Sequence, residues 1–70
     1  MDAETAFAAA ERLAEAAGAR AILADSQLGQ ARVVARLGQI ERARQLAGQA
    51  ADLFERLGDL DRAYEARALA

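Results

Sequence analysis

The chain has 70 residues, a formal net charge of −2, and no His, Cys, Lys, Trp or Pro. Without those side chains it cannot build a Ser–His–Asp triad, a thiol nucleophile, a Schiff-base lysine or a zinc site, and no disulfide can stiffen a small core. Alanine supplies 21 residues against 16 larger apolar ones besides Met1, so helix propensity is high, β-forming residues are few and an all-β fold is excluded.

Glycine punctuates the sequence. Gly18, Gly38 and Gly58 stand 20 residues apart, preceded by Ala17, Leu37 and Leu57. The strings Arg36-Leu37-Gly38-Gln39-Ile40-Glu41-Arg42-Ala43 and Arg56-Leu57-Gly58-Asp59-Leu60-Asp61-Arg62-Ala63 share Arg, Leu, Gly, Arg and Ala in register, which marks an internal repeat. A glycine just past an apolar-periodic run is a helix C-cap signal, because glycine takes positive φ without strain. The spacing therefore predicts turns at Gly18, Gly38 and Gly58, with Asp59 capping the helix that follows. The expected fold is all-α: four helices, at about 3–17, 19–37, 39–57 and 60–69, forming antiparallel helical hairpins in a single domain over 1–70 or in a piece of a longer repeat array.

Each predicted helix has a face to bury. The first carries Ala3, Ala6, Phe7, Ala10, Leu13, Ala14 and Ala17 at helical spacing. The second is apolar on two sides, with Ile22, Leu23, Val33, Val34 and Leu37 on one and Ala24, Leu28, Ala31 and Ala35 on the other. Such a helix is expected to pack against both the first and the third. The third has one wide stripe, Ile40, Ala43, Leu46, Ala47, Ala50, Leu53, Phe54 and Leu57. Gly29 and Gly48 fall inside helices; close packing of a neighbouring helix accounts for Gly29, and Gly48 suggests a bend. The fourth helix carries Leu60, Tyr64 and Leu69 with no later helix to cover them.

The run from Ala35 through Arg36-Leu37-Gly38-Gln39-Ile40-Glu41-Arg42-Ala43, then Ala47 and Ala50, to Leu53-Phe54-Glu55-Arg56-Leu57-Gly58-Asp59 resembles tetratricopeptide repeats, in the longer, 40-residue variety of bacterial signalling and transcription regulators. The resemblance implies a right-handed stack of hairpins, as against a small helical bundle. The first predicted helix would end one repeat, the second and third would make a complete one, and the fourth would open the next. It also implies a non-enzymatic module whose concave side, lined by the second and fourth helices, receives a peptide or helix of another protein.

Little else carries chemistry. Glu11 with Glu15, and Asp59 with Asp61, read as solvated acids and a helix cap; no catalytic, cofactor or metal site is expected. No apolar run approaches the length of a membrane span, and the N-terminus bears Asp2 and Glu4 where a signal peptide bears cations, so a soluble, cytoplasmic chain is expected. Charge is arranged in blocks: five acids and two Arg in residues 1–25, four Arg and one Glu in 26–51, five acids and three Arg in 52–70. With no recognition motif and a net negative charge, nucleic acid is not the expected partner. The expected partners are another protein or a second copy, in a homo-oligomer. Its candidate contacts are Leu60, Tyr64 and Leu69, with Arg32, Arg36 and Arg44 facing the partner's acids.

Overall fold

The computed structural model describes residues 3–70, apart from the side chains of Glu4 and Phe7, so the predicted burial of Phe7 lies outside the described residues. Among them there are three helices and no strands: α1 (Ala3–Arg36), α2 (Ile40–Leu57) and α3 (Leu60–Leu69). The all-α expectation holds. The four-helix division does not, because the predicted first and second helices are one continuous helix of 34 residues.

Gly18 is where the expectation fails. Positive φ occurs only at Gly38 (84°) and Gly58 (78°) among the described residues, and Gly18 is helical. A mid-helix glycine costs about 1 kcal/mol relative to alanine. Breaking the helix there would instead orphan a turn's worth of backbone groups on each side. Around Gly18 stand Ala14, Ala16, Ala17, Ala19 and Ala21, the best helix formers, and no capping side chain follows it. Gly38 and Gly58 are followed by Gln39 and Asp59 and preceded by leucine.

The two real turns are built alike. Gly38 N–H donates to the Ala35 carbonyl (3.0 Å) and Gln39 N–H to that of Val34 (2.9 Å). Gly58 N–H donates to Glu55 (3.0 Å) and Asp59 N–H to Phe54 (2.9 Å). Both are Schellman closures, in which the left-handed glycine turns the next N–H back onto an orphan carbonyl. The backbones at Gln39 (φ −86°, ψ 71°) and Asp59 (φ −88°, ψ 80°) nearly coincide, but only Asp59 caps, accepting from Arg62 N–H at 3.2 Å. Gln39→Asp should therefore give α2 the cap that α3 has and raise stability by about 1 kcal/mol. Urea denaturation of the two proteins measures it; an unchanged midpoint would show that α2 is already capped by other means.

With turns this short, α2 runs antiparallel to α1 and α3 antiparallel to α2. α2 packs on both neighbours, whereas α1 and α3 scarcely touch. The core is small: Ala24 and Leu28 of α1, Ala50, Ala51 and Phe54 of α2, Ala63 and Ala66 of α3, with Leu53 and Leu69 partly buried against them. Ala31, Val34, Ala43 and Ala47 extend this seam towards the first turn. Of the expected α2 stripe, Phe54 is buried, Leu46, Leu53 and Leu57 are half-buried and Ile40 is exposed. Gly48 lies within an uninterrupted α2.

Length mismatch sets the shape. At 1.5 Å per residue α1 is about 51 Å long and α2 about 27 Å. The chain measures 54 × 17 × 13 Å. The N-terminal half of α1 thus runs on past the end of α2, and every residue from Ala9 to Arg20 is exposed. The accessible surface is 5126 Å². A compact monomer of this mass would show about 4,200 Å².

Candidate functional site

The Ile22–Leu23–Val33–Leu37 face of the predicted second helix has lost the neighbour expected to cover it, because that neighbour continues along the same axis. Ala24, Leu28, Ala31 and Val34 are buried, but Ile22 is 72% exposed, Leu37 68% exposed, and Leu23 and Val33 are at least half exposed. This corrects the expectation of a helix packed on both sides.

Part of that face is concave. A groove of about 540 Å³ lies between α1 and α2, lined by Gly29, Gln30, Val33, Val34, Arg42 and Leu46. On α1, Asp25 and Arg32 meet α3 through ion pairs with Arg62 and Glu65, and Gln30 and Val34 lie on the opposite flank at 100° per residue. The groove therefore opens away from α3. Gly29 sits in its wall, and a Cβ added there meets nothing within 4 Å. No neighbouring helix of the chain approaches it, contrary to the packing expected for that glycine.

The electrostatics of the groove follow from which charges are spent elsewhere. Arg32 pairs with Glu65 (3.6 Å) and Arg44 with Glu41 (3.8 Å), so two of the three arginines expected to meet a partner's acids already have one within the chain. Arg67 bonds Glu55 (Nε to Oε1, 2.8 Å) and approaches Asp52; the Glu55 hydrogen bond and the carboxylate charges raise its pKa further above the usual arginine value, and it stays cationic. Arg36 and Arg42 form no ion pair among the described residues. Arg42, in the groove lining, gives it a basic edge over an apolar floor.

The α3 candidates divide. Leu60 and Tyr64 are exposed, Tyr64 at 78%, as expected of a helix with nothing beyond it. Leu69 instead turns inward and packs against the core, because the last turn of α3 lies beside α2. Gly38, Gly58 and Asp59 serve as turn and cap residues, and Gly18 does not. Sequence reasoning placed Val33 on an apolar face but did not single out Gly29, Gln30, Arg42 and Leu46 as one site; their joint appearance depends on how α1 and α2 sit side by side.

One polar atom is unaccounted for. Gln27 Nε2 donates to Gln49 Oε1 (3.2 Å), but the buried Gln27 Oε1 has no partner. No cluster of three or more metal-ligating side chains occurs among the described residues. No described helix is long and apolar enough to cross a membrane. Compared with known proteins, the chain matches no family model, no curated protein and no solved structure.

Proposed function

We propose that the chain is a non-enzymatic helix-binding module of tetratricopeptide-like type, in which the C-terminal half of α1 with α2 forms one hairpin repeat and α3 opens the next. Two equivalent Schellman turns 20 residues apart support the repeat reading. The observation that carries the function is the groove between α1 and α2: its apolar wall suits the ridge of an amphipathic helix, and the unpaired Arg42 favours one with an acidic flank. The partner is a protein, since neither the groove nor the net charge suits nucleic acid.

A displayed library of amphipathic helical peptides, selected on the full chain, tests this. Binders should be rich in Leu and in Asp or Glu, and should be lost on Val33→Arg. Val33 is exposed, so circular dichroism should show that variant still folded. Selected helices that bind the Val33→Arg chain as well as the parent would place the binding face elsewhere.

A further inference from the structure

The large exposed side chains of α1 are not scattered. A seam runs from Ala9 to Leu37 in alternating steps of three and four residues, with apolar residues at six of its nine positions and Arg12, Ser26 and Gln30 at the others. Apolar residues at that spacing suit a helix that packs along another helix. Two rows flank the seam, each with a seven-residue step: Glu15, Ile22, Gly29, Arg36 on one side and Leu13, Arg20, Gln27, Val34 on the other. Leu13, Ile22, Leu23 and Val33, the large exposed apolar residues of α1 among the described side chains, all fall in the seam or its flanks, as does Leu37 just beyond.

The first flanking row is its own complement when read backwards. Glu15 and Arg36, at the two ends of the first row, are opposite charges without an ion pair among the described residues. Its inner members are a protruding Ile22 and a Gly29 with open space where a Cβ would be. In the second row, Leu13 and Arg20 are exposed on the overhang, whereas Gln27 bonds Gln49 of α2 and Val34 is buried within the chain. The ends of that row are the apolar Leu13 and Val34.

We infer that α1 pairs antiparallel with α1 of a second copy, about a two-fold axis between Leu23 and Ser26, so that Glu15 faces the partner's Arg36 and Ile22 fills the space at the partner's Gly29. This rests on the reading of the groove as a helix-docking face and names its occupant. In this register the overhanging half of α1 in each copy lies along the groove side of the other. The acidic N-terminal block thereby meets the basic middle block twice, and the interface is closed by symmetry. The surface area agrees. The chain exposes about 900 Å² more than a compact monomer of its mass, and a standard stable interface covers about 800 Å² per partner. Pairing through Leu60 and Tyr64 of α3, the other exposed apolar edge, would leave the α1 seam uncovered.

Sedimentation equilibrium on the full chain, with charge-swapped variants, tests the pairing. The parent should dimerise, and added salt should weaken it modestly. Glu15→Arg and Arg36→Glu should each weaken dimerisation by about tenfold, and the double variant should recover most of that loss. Gly29→Leu should weaken it at unchanged or higher helix content, since within one copy the added side chain meets nothing. Tyr64→Ala should leave it unaltered. A monomer at about 1 mM would overturn the inference, and so would a dimer that Tyr64→Ala breaks or one that the double charge swap fails to restore. A monomer that still binds selected helices through Val33 would leave the groove reading standing and remove only the second copy. A dimer rescued by the charge swap, with no helix selected, would confine the groove to self-association.

Discussion

Phe54→Ala should leave the protein largely unfolded at room temperature. Phe54 is the one large side chain fully buried among the described residues, at 2% exposure, and the rest of the central cluster is mostly alanine. Removing a buried phenylalanine ring costs about 3–5 kcal/mol, the lost transfer energy plus the cavity. Alanine neighbours have no side-chain length with which to collapse into the hole, which puts this site towards the upper end. The ring also supports the three-helix contact from outside: the Arg62 guanidinium lies 6.0 Å from its centroid while pairing with Asp25 of α1 and Asp59. A thermal melt followed by circular dichroism measures the effect. A cooperative transition within a few degrees of the parent would mean that the core does not depend on this ring.

Gly48→Ala and Gly58→Ala should move stability in opposite directions. Gly48 lies inside α2 with open space at its Cβ position, so alanine supplies about 1 kcal/mol of helix propensity with nothing to displace. Gly58 has φ of 78°, where an added Cβ strains the backbone by about 1 kcal/mol although nothing crowds it. At about 4–8 °C per kcal/mol for a domain of this size, the two melting midpoints should fall on either side of the parent. A fall for Gly48→Ala would show that α2 is interrupted there. Gly18→Ala belongs with Gly48, but its gain should register locally. Within one copy the overhanging part of α1 packs on no other helix, so its opening should be local, and slower amide exchange around Ala14–Arg20 is the measurement, rather than the global midpoint.

The glycines also show where local reading reached its limit. Gly38 and Gly58 were legible because each signal came with its complement: leucine before, a polar residue after, and the next apolar stripe beginning at once. Asp59 was legible as a cap for the same reason. Gly18 shared the 20-residue spacing but none of that company, and the surrounding alanines carried the helix through it. Spacing alone indicates kinship between segments of a sequence; it does not supply the backbone hydrogen bonds that close a turn.

Helix content, the two left-handed glycines, the cap at Asp59 and the apolar stripe of α2 follow from contacts within a few residues, and those the chain specifies locally. Which stripes are covered is a different matter. The Ile22–Val33–Leu37 face and the Leu13 region are as apolar in pattern as the faces that are buried, and periodicity treats them alike. Their exposure results from α1 being about twice as long as α2 and from α3 docking on one flank of the hairpin only. Burial requires a partner surface at the right place in space. The groove at Gly29 and Arg42, and the overhang of α1, exist because the lengths and sides of three helices do not match, which no single helix records.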